Sequence, residues 1–171
     1  MNNKIKSSRV VFLGVFTAVA MILAFIESQI PTFVPVPGIK IGLPNIAIVL
    51  ILYKMGFKEA LVVNILRILL VSFLFGTALS LIYSLSGGII SLVIMKLIKE
   101  SNIFKIITVS VIGAITHNIV QIIVAIFVLE LNQLIYYLPI LLLTGTISGI
   151  IVGIVAGIIG NKVNLEEKED A

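Results

Sequence analysis

The sequence predicts an all-α, polytopic membrane protein with six transmembrane helices in one integral membrane domain. Of its 171 residues, 60% are hydrophobic and only 12% are charged, with a mean hydropathy of +1.25. Soluble domains carry about 25% charged residues, so a soluble fold is excluded. Apolar runs separated by short polar connections predict the helices. Their expected spans are about 10–28, 43–54, 58–74, 78–98, 106–129 and 134–160.

Two pairs of small residues at a spacing of four mark the first predicted helix. Gly14 and Ala18 form one pair, and Ala20 and Ala24 form the other. Small residues one turn apart let a neighbouring helix approach closely in lipid. Each pair is interpreted either as internal packing or as a docking face for another membrane protein.

The second predicted helix is too short to cross a bilayer alone. A span needs about 20 residues, and residues 43–54 supply about 18 Å of helix. The preceding loop, 29–43, contains three prolines, which favour an extended chain. Pro44 and Asn45 then begin the helix, so its positive dipole end is expected to point into the protein from the outer face. Short spans interrupted by Gly or Pro indicate binding sites in transporters.

Arg67 is the strongest functional candidate because a charged side chain inside a bilayer is costly. It follows Lys58 by nine residues, which places it about 13 Å along the third helix, near mid-membrane. Asn64 is three residues earlier and shares its face. The alternative is structural, with Arg67 neutralised by Glu27 or tied to backbone carbonyls.

The fourth and fifth helices add further polar candidates. Tyr83 accompanies several small residues on the fourth helix, as a cavity wall or as an interface anchor. On the fifth helix, His117 and Gln121 are one turn apart, and Asn118 lies on an adjoining face. A single histidine is usually a hydrogen-bonded core residue. A cluster of polar groups at one depth instead indicates a cavity.

Glycines recur every four residues in the sixth predicted helix, at Gly145, Gly149, Gly153 and Gly157. Four residues make just over one turn, so the glycines line one side of the helix. This pattern predicts a close packing surface.

The distribution of basic residues predicts that both termini are cytoplasmic. With that orientation the outer side receives only Lys40, and Arg67 lies within a span. Residues 161–171 form a charged cytoplasmic tail. The cytoplasmic side receives ten basic residues: Lys4, Lys6, Arg9, Lys54, Lys58, Lys96, Lys99, Lys105, Lys162 and Lys168.

The chain contains few of the residue types that enzymes use for catalysis, so no enzymatic activity is predicted. There is no cysteine and one histidine, so no metal site is predicted, and no cofactor is expected. No phosphate-binding glycine loop of an ATPase is present. Asp170 is the one aspartate, whereas a magnesium diphosphate site needs several oxygen ligands. The charge of +4 follows from the orientation bias, so no nucleic-acid partner is predicted.

Several motifs resemble the Gx transporter family, which is often labelled heptaprenyl diphosphate synthase component I. They are KIGLPN at 40–45, LFGT at 74–77, SLSGG at 84–88 and THN at 116–118. The resemblance covers nearly the whole chain and implies the six-helix fold of the S components of energy-coupling factor (ECF) transporters. Those proteins capture a vitamin or cofactor precursor and work with a transmembrane coupling subunit and ATPase subunits. The resemblance also implies that Ala20 and Ala24, or Gly14 and Ala18, contact the coupling subunit, and that residues 29–43 close over the substrate.

Two functions therefore remain open from the sequence. The first is capture of a small anionic or aromatic molecule, such as a cofactor, quinone or isoprenoid precursor, by a subunit located in the cell membrane. Its predicted contacts are Asn45, Asn64, Arg67, Tyr83, His117, Asn118 and Gln121. The second is a non-catalytic anchor or accessory subunit of a prenyl diphosphate synthase or of an electron-transfer system, in which the polar groups only secure helix packing.

Overall fold

The computed structural model describes residues 2–29 and 42–162, with side chains from residue 10 onwards. Six α-helices account for most of these residues, which confirms the all-α prediction. The loop expected to close over a substrate lies largely outside the described residues, as does most of the charged tail. The helices are α1 (Asn2–Gln29), α2 (Asn45–Lys54), α3 (Phe57–Phe75), α4 (Ala78–Glu100), α5 (Ile106–Leu129) and α6 (Leu138–Lys162).

Helix boundaries follow local sequence signals. Gly56, with a φ of 113°, separates α2 from α3. Thr77 caps α4 through a capping box in which its hydroxyl accepts from the Ser80 amide and Ser80 Oγ accepts from the Thr77 amide. A 3-10 helix, Asn132–Tyr137, precedes α6, so the sixth α-helix begins four residues later than the sequence predicts.

Four helical segments within the described residues are long and apolar enough to span a bilayer. They are Val10–Gln29, Ala78–Glu100, Ile106–Leu129 and Asn132–Lys162. The chain is therefore a multi-pass membrane protein. Helix α3 has 19 residues but contains Lys58, Glu59 and Arg67, and α2 is short, so a total of six crossings remains a prediction, as do the positions of the termini.

Helix α2 is surrounded by protein on all sides. Each residue from Ala47 to Leu52 is at most 3% exposed, and the helix contacts α1, α3 and α6. A helix that is apolar all round is normally buried. By contrast, Phe73 and Phe127 on the periphery are 89% and 79% exposed, as expected of side chains that face lipid.

The glycines of α6 lie against α5. A Cβ at Gly149 would stand 2.6 Å from Val111 Cα, and one at Gly153 would stand 2.7 Å from Ile107 Cα. Gly145 is as close to Asn118, whereas Gly157 leaves room for a methyl group. The two helices therefore approach at backbone distance along most of this surface.

Candidate functional site

A cavity of about 130 Å³ lies at the start of α2, and all six helices contribute to its wall. Charged and amide groups form part of the wall, and small or apolar residues form the rest. Its lining consists of Ala24, Glu27, Ser28, Gly42, Pro44, Asn45, Arg67, Ile68, Val71, Ser72, Phe75, Gly76, Ser80, Ser84, Ala114, His117, Asn118, Gln121, Gly145 and Ser148.

The N-terminus of α2 faces this cavity. Gly42, Pro44 and Asn45 are part of its wall, and ten residues make only about 15 Å of helix. The amides of Asn45 and Ile46 already donate to the carbonyls of Gly42 and Leu43, at 2.9 and 3.1 Å. The helix therefore contributes the positive field of its dipole to the cavity rather than free N–H groups of these two residues.

Gly42 connects the start of α2 to α1. Its φ is +76°, a backbone conformation that glycine adopts without strain. Its amide donates to the carboxylate of Glu27 near the end of α1. The same carboxylate attracts Arg67 electrostatically, so the sequence-based suggestion that Glu27 balances Arg67 has structural support.

Two asparagine side chains hold Arg67. Its Nε and Nη2 donate to Asn64 Oδ1 at 3.1 and 2.8 Å, and Nη2 also donates to Asn45 Oδ1 at 3.0 Å. Asn64 is 2% exposed and donates in turn to the Gly88 carbonyl at 2.9 Å. Asn64 thus positions Arg67 from outside the cavity wall, while Arg67 and Asn45 form part of it.

The polar residues of α5 meet the same cavity. His117, Asn118 and Gln121 all line it. Asn118 Nδ2 donates to the Leu141 carbonyl of α6 at 2.7 Å, which fixes its amide. Gly87 of α4 leaves the space that His117 and Gln121 occupy, because a Cβ there would stand 3.1 Å from His117 Nδ1 and 3.0 Å from Gln121 Cγ.

Tyr83 does not line the cavity, although the sequence groups it with the binding residues. Its hydroxyl is buried and has no hydrogen-bond partner within the described ranges. The neighbouring Ser84 and the preceding Ser80 face the cavity instead. Consecutive residues on a helix differ by about 100° in direction. The rotation of α4 about its axis therefore determines whether Tyr83 or Ser84 faces the cavity.

The cavity also includes residues that sequence analysis does not select. Ser148 lies among the α6 glycines and Ser72 lies on α3, where each serine resembles an ordinary small packing residue. Beneath the cavity, a second space of about 10 Å³ is lined partly by Ser91, Ser110 and Ser148. A space of this size holds about one water molecule.

The two proposed docking pairs on α1 lie in different surroundings. Ala20 and Ala24 are 0% and 9% exposed, and Ala24 lines the cavity. Gly14 and Ala18 lie on the exposed side, and a Cβ at Gly14 would meet no described atom within 4 Å. Ala20 and Ala24 already pack inside the protein. Gly14 and Ala18 therefore remain as the predicted contact with another membrane protein.

Comparison with protein families gives a match that covers most of the chain. A family model described as heptaprenyl diphosphate synthase component I matches residues 16–159. This range includes the cavity lining. No curated protein and no solved structure matches the chain.

Proposed function

The chain belongs to the heptaprenyl diphosphate synthase component I family, and from this premise we propose that it is a membrane-embedded substrate-capture subunit of a transporter. The substrate is a small cofactor, quinone or isoprenoid precursor, and separate ATPase subunits supply the energy through a transmembrane coupling subunit. The protein acts in the cell membrane and performs no catalysis itself.

The observation that carries this proposal is the convergence of Arg67, Asn45, His117 and Gln121 on one cavity at the buried start of α2. A helix that begins inside a membrane protein and points its N-terminus at a polar cavity is a recurrent form of binding site in transporters. Groups that served helix packing alone would need no shared cavity. In the proposed site Arg67 binds the negative group, whereas His117 and Gln121 orient the rest of the molecule.

Gly14 and Ala18 provide the proposed contact with the coupling subunit. Their side of α1 also exposes large apolar residues, including Val11 and Val15 at 62% and 54%. An exposed small-residue pair on such a surface allows a second transmembrane helix to approach closely.

The experiment is purification from native membranes under mild detergent, followed by mass spectrometry of bound small molecules and of co-purified proteins. We expect one enriched small molecule and an ATPase-containing module. Arg67→Ala should lose the small molecule but keep the module. Gly14→Leu with Ala18→Leu should lose the module and keep the small molecule. Val93→Leu, at an exposed position of α4, is the control that should lose neither.

A second candidate function follows from the description of the family, which names a component of a synthase. In this function the chain anchors a soluble prenyl-transfer enzyme or an electron-transfer protein at the membrane. Recovery of such a protein, with no ATPase and no enriched small molecule, would support the anchor and contradict capture.

A further inference from the structure

The size of the cavity and the charges in its wall point to one class of ligand. We propose that the cavity accepts a compact anion about the size of one six-membered ring and excludes a prenyl chain. This inference rests on the proposed function because it concerns the same site, and it separates the ligand from the product named in the family description.

The volume of the cavity suits a compact ligand. The cavity measures about 130 Å³, and an apolar cavity of about 150 Å³ in another protein holds one benzene molecule. A heptaprenyl chain is many times larger than one ring. Gly145 of α6 is in contact with Asn118 of α5 in the cavity wall, so α5 and α6 leave no gap between these two residues for a longer ligand.

Arg67 retains donors for an anion. A guanidinium has five N–H groups, and three of them are used by the bonds from Nε and Nη2 to Asn64 and Asn45. The two N–H groups of Nη1 make no hydrogen bond to the residues that the structure describes. Each of these N–H groups can donate a charge-assisted hydrogen bond to one oxygen of a carboxylate or phosphate group.

The electrostatic field in the cavity also favours a negatively charged ligand. Glu27 and Arg67 cancel in formal charge, and the carboxylate of Glu27 is partly neutralised by its bond from the Gly42 amide. The N-terminus of α2 then adds about half a positive charge. The cavity as a whole therefore attracts an anion.

The other residues of the cavity wall can contact the uncharged part of a small cyclic ligand. His117, Gln121 and Ser84 provide hydrogen-bonding groups, and Val71 and Phe75 provide apolar contact. A few polar groups within an otherwise apolar wall are typical of sites that orient a small organic molecule.

A single introduced cysteine tests this inference without knowledge of the ligand. The chain contains no cysteine, and Ser84→Cys replaces a side chain in the cavity wall. Its thiolate attacks a methanethiosulfonate, forms a mixed disulfide and releases methanesulfinate. Three reagents are compared in the purified protein: a small sulfonatoethyl anion, a small trimethylammonioethyl cation, and a large fluorescein-bearing anion.

Relative to their rates with free 2-mercaptoethanol, we expect the small anion to react about tenfold faster than the small cation, because charged clefts raise the local concentration of counter-ions by at least this factor. The fluorescein reagent should react negligibly. Benzoate should slow the reaction of the small anion, whereas farnesyl diphosphate should not. Equal rates for the two small reagents, no reaction with any reagent, rapid reaction with the fluorescein reagent, failure of benzoate to protect, or protection by farnesyl diphosphate would each overturn the inference.

Two further variants in the Ser84→Cys background assign the charge preference to its source. Arg67→Gln should abolish the preference for the anion. If Arg67→Gln does not fold, Glu27→Gln serves instead and should increase the preference, since it removes the opposing charge. If labelling is selective for the anion but the protein co-purifies with no ATPase module, the proposed function is contradicted and this inference stands. If labelling is unselective but the protein co-purifies with an ATPase module, this inference is overturned and the proposed function stands.

Discussion

The guanidinium of Arg67 donates to Asn45 Oδ1 at 3.0 Å and thereby connects the middle of α3 to the first residue of α2. The same Nη2 atom also bonds Asn64 on its own helix at 2.8 Å. The position of the cation and the position of the buried helix start are thus determined together. Substitutions at Asn45 should therefore affect both stability and charge selectivity.

Asn45→Ala should lower the free energy of unfolding, whereas Asn45→Asp should not. The alanine variant removes an acceptor from a partly buried cation and should lose about 1–3 kcal/mol. The aspartate variant keeps the acceptor and adds a negative charge beside Arg67, so it should unfold no more easily than the parent but should lose the preference for an anion. Thermal unfolding in detergent and the labelling ratio measure the two effects. Asn132→Ala, in the 3-10 helix, is the control for loss of an amide outside the cavity. Similar stability of the parent and Asn45→Ala would contradict the role assigned to this hydrogen bond.

Gly42 should tolerate alanine poorly, because its φ of +76° is strained for a residue with a Cβ. A left-handed conformation costs about 1–2 kcal/mol for an L-residue, and the added Cβ would stand 3.2 Å from Ser148 Oγ. Gly42→Ala should lower the unfolding temperature in detergent. Gly14→Ala is the matched control, since it adds the same methyl group on an exposed part of α1. An equal unfolding temperature for both variants would argue against the backbone described at the start of α2.

The packing of α6 on α5 predicts a contrast between two glycines of the same helix. Gly149→Ala places its Cβ against backbone atoms of Val111, and overpacking of this kind costs about 1–3 kcal/mol. Gly157→Ala meets only Ile106 Cγ2 at 3.5 Å, so the better helix propensity of alanine should make it neutral or stabilising by up to about 1 kcal/mol. Thermal unfolding of the two variants checks this order, and equal destabilisation would mean that the helices do not approach as described.

The helices could be predicted from sequence because each apolar run is long and is ended by polar or glycine residues. The run from Ile46 to Leu52 has no polar residue, which fits burial in protein and contact with lipid equally. Its full burial, however, depends on neighbours that are distant in the chain. No local pattern specifies that α2 occupies the centre of the bundle.

Site residues could be predicted from sequence where their side chains are costly to place in lipid. They could not be predicted where membership of the site depends on the direction in which a helix presents its side chains. Arg67 and His117 stand out from sequence because a bilayer rarely contains such groups, and the structure brings both to one cavity. Tyr83 and Ser84 differ only by the rotation of α4, which packing against other helices determines. The same limitation applies to Ala20 and Gly14, two small residues on one helix of which the first is buried and the second exposed.

Lys99 and Lys96, one turn apart on α4, should contribute unequally to stability. Both ammonium groups lie 5.1 Å from an aromatic centroid, Tyr53 for Lys99 and Phe57 for Lys96. Lys99 Nζ additionally donates to the Leu52 carbonyl of α2 at 2.7 Å, whereas Lys96 additionally forms an ion pair with Glu100 at 3.6 Å.

The Leu52 carbonyl belongs to the last turn of a buried helix, where it lacks an intrahelical partner and where a cation is favoured by the helix dipole. Lys99→Met should therefore lose about 1–3 kcal/mol of unfolding free energy. Lys96→Met removes a largely exposed ion pair and should lose less than about 1 kcal/mol. The two variants remove the same charge and a similar aromatic contact, and Lys96→Met also removes the ion pair with Glu100, so a larger loss in Lys99→Met gives a lower limit for the bond to α2. Equal losses would show that Lys99 does not hold the end of this helix.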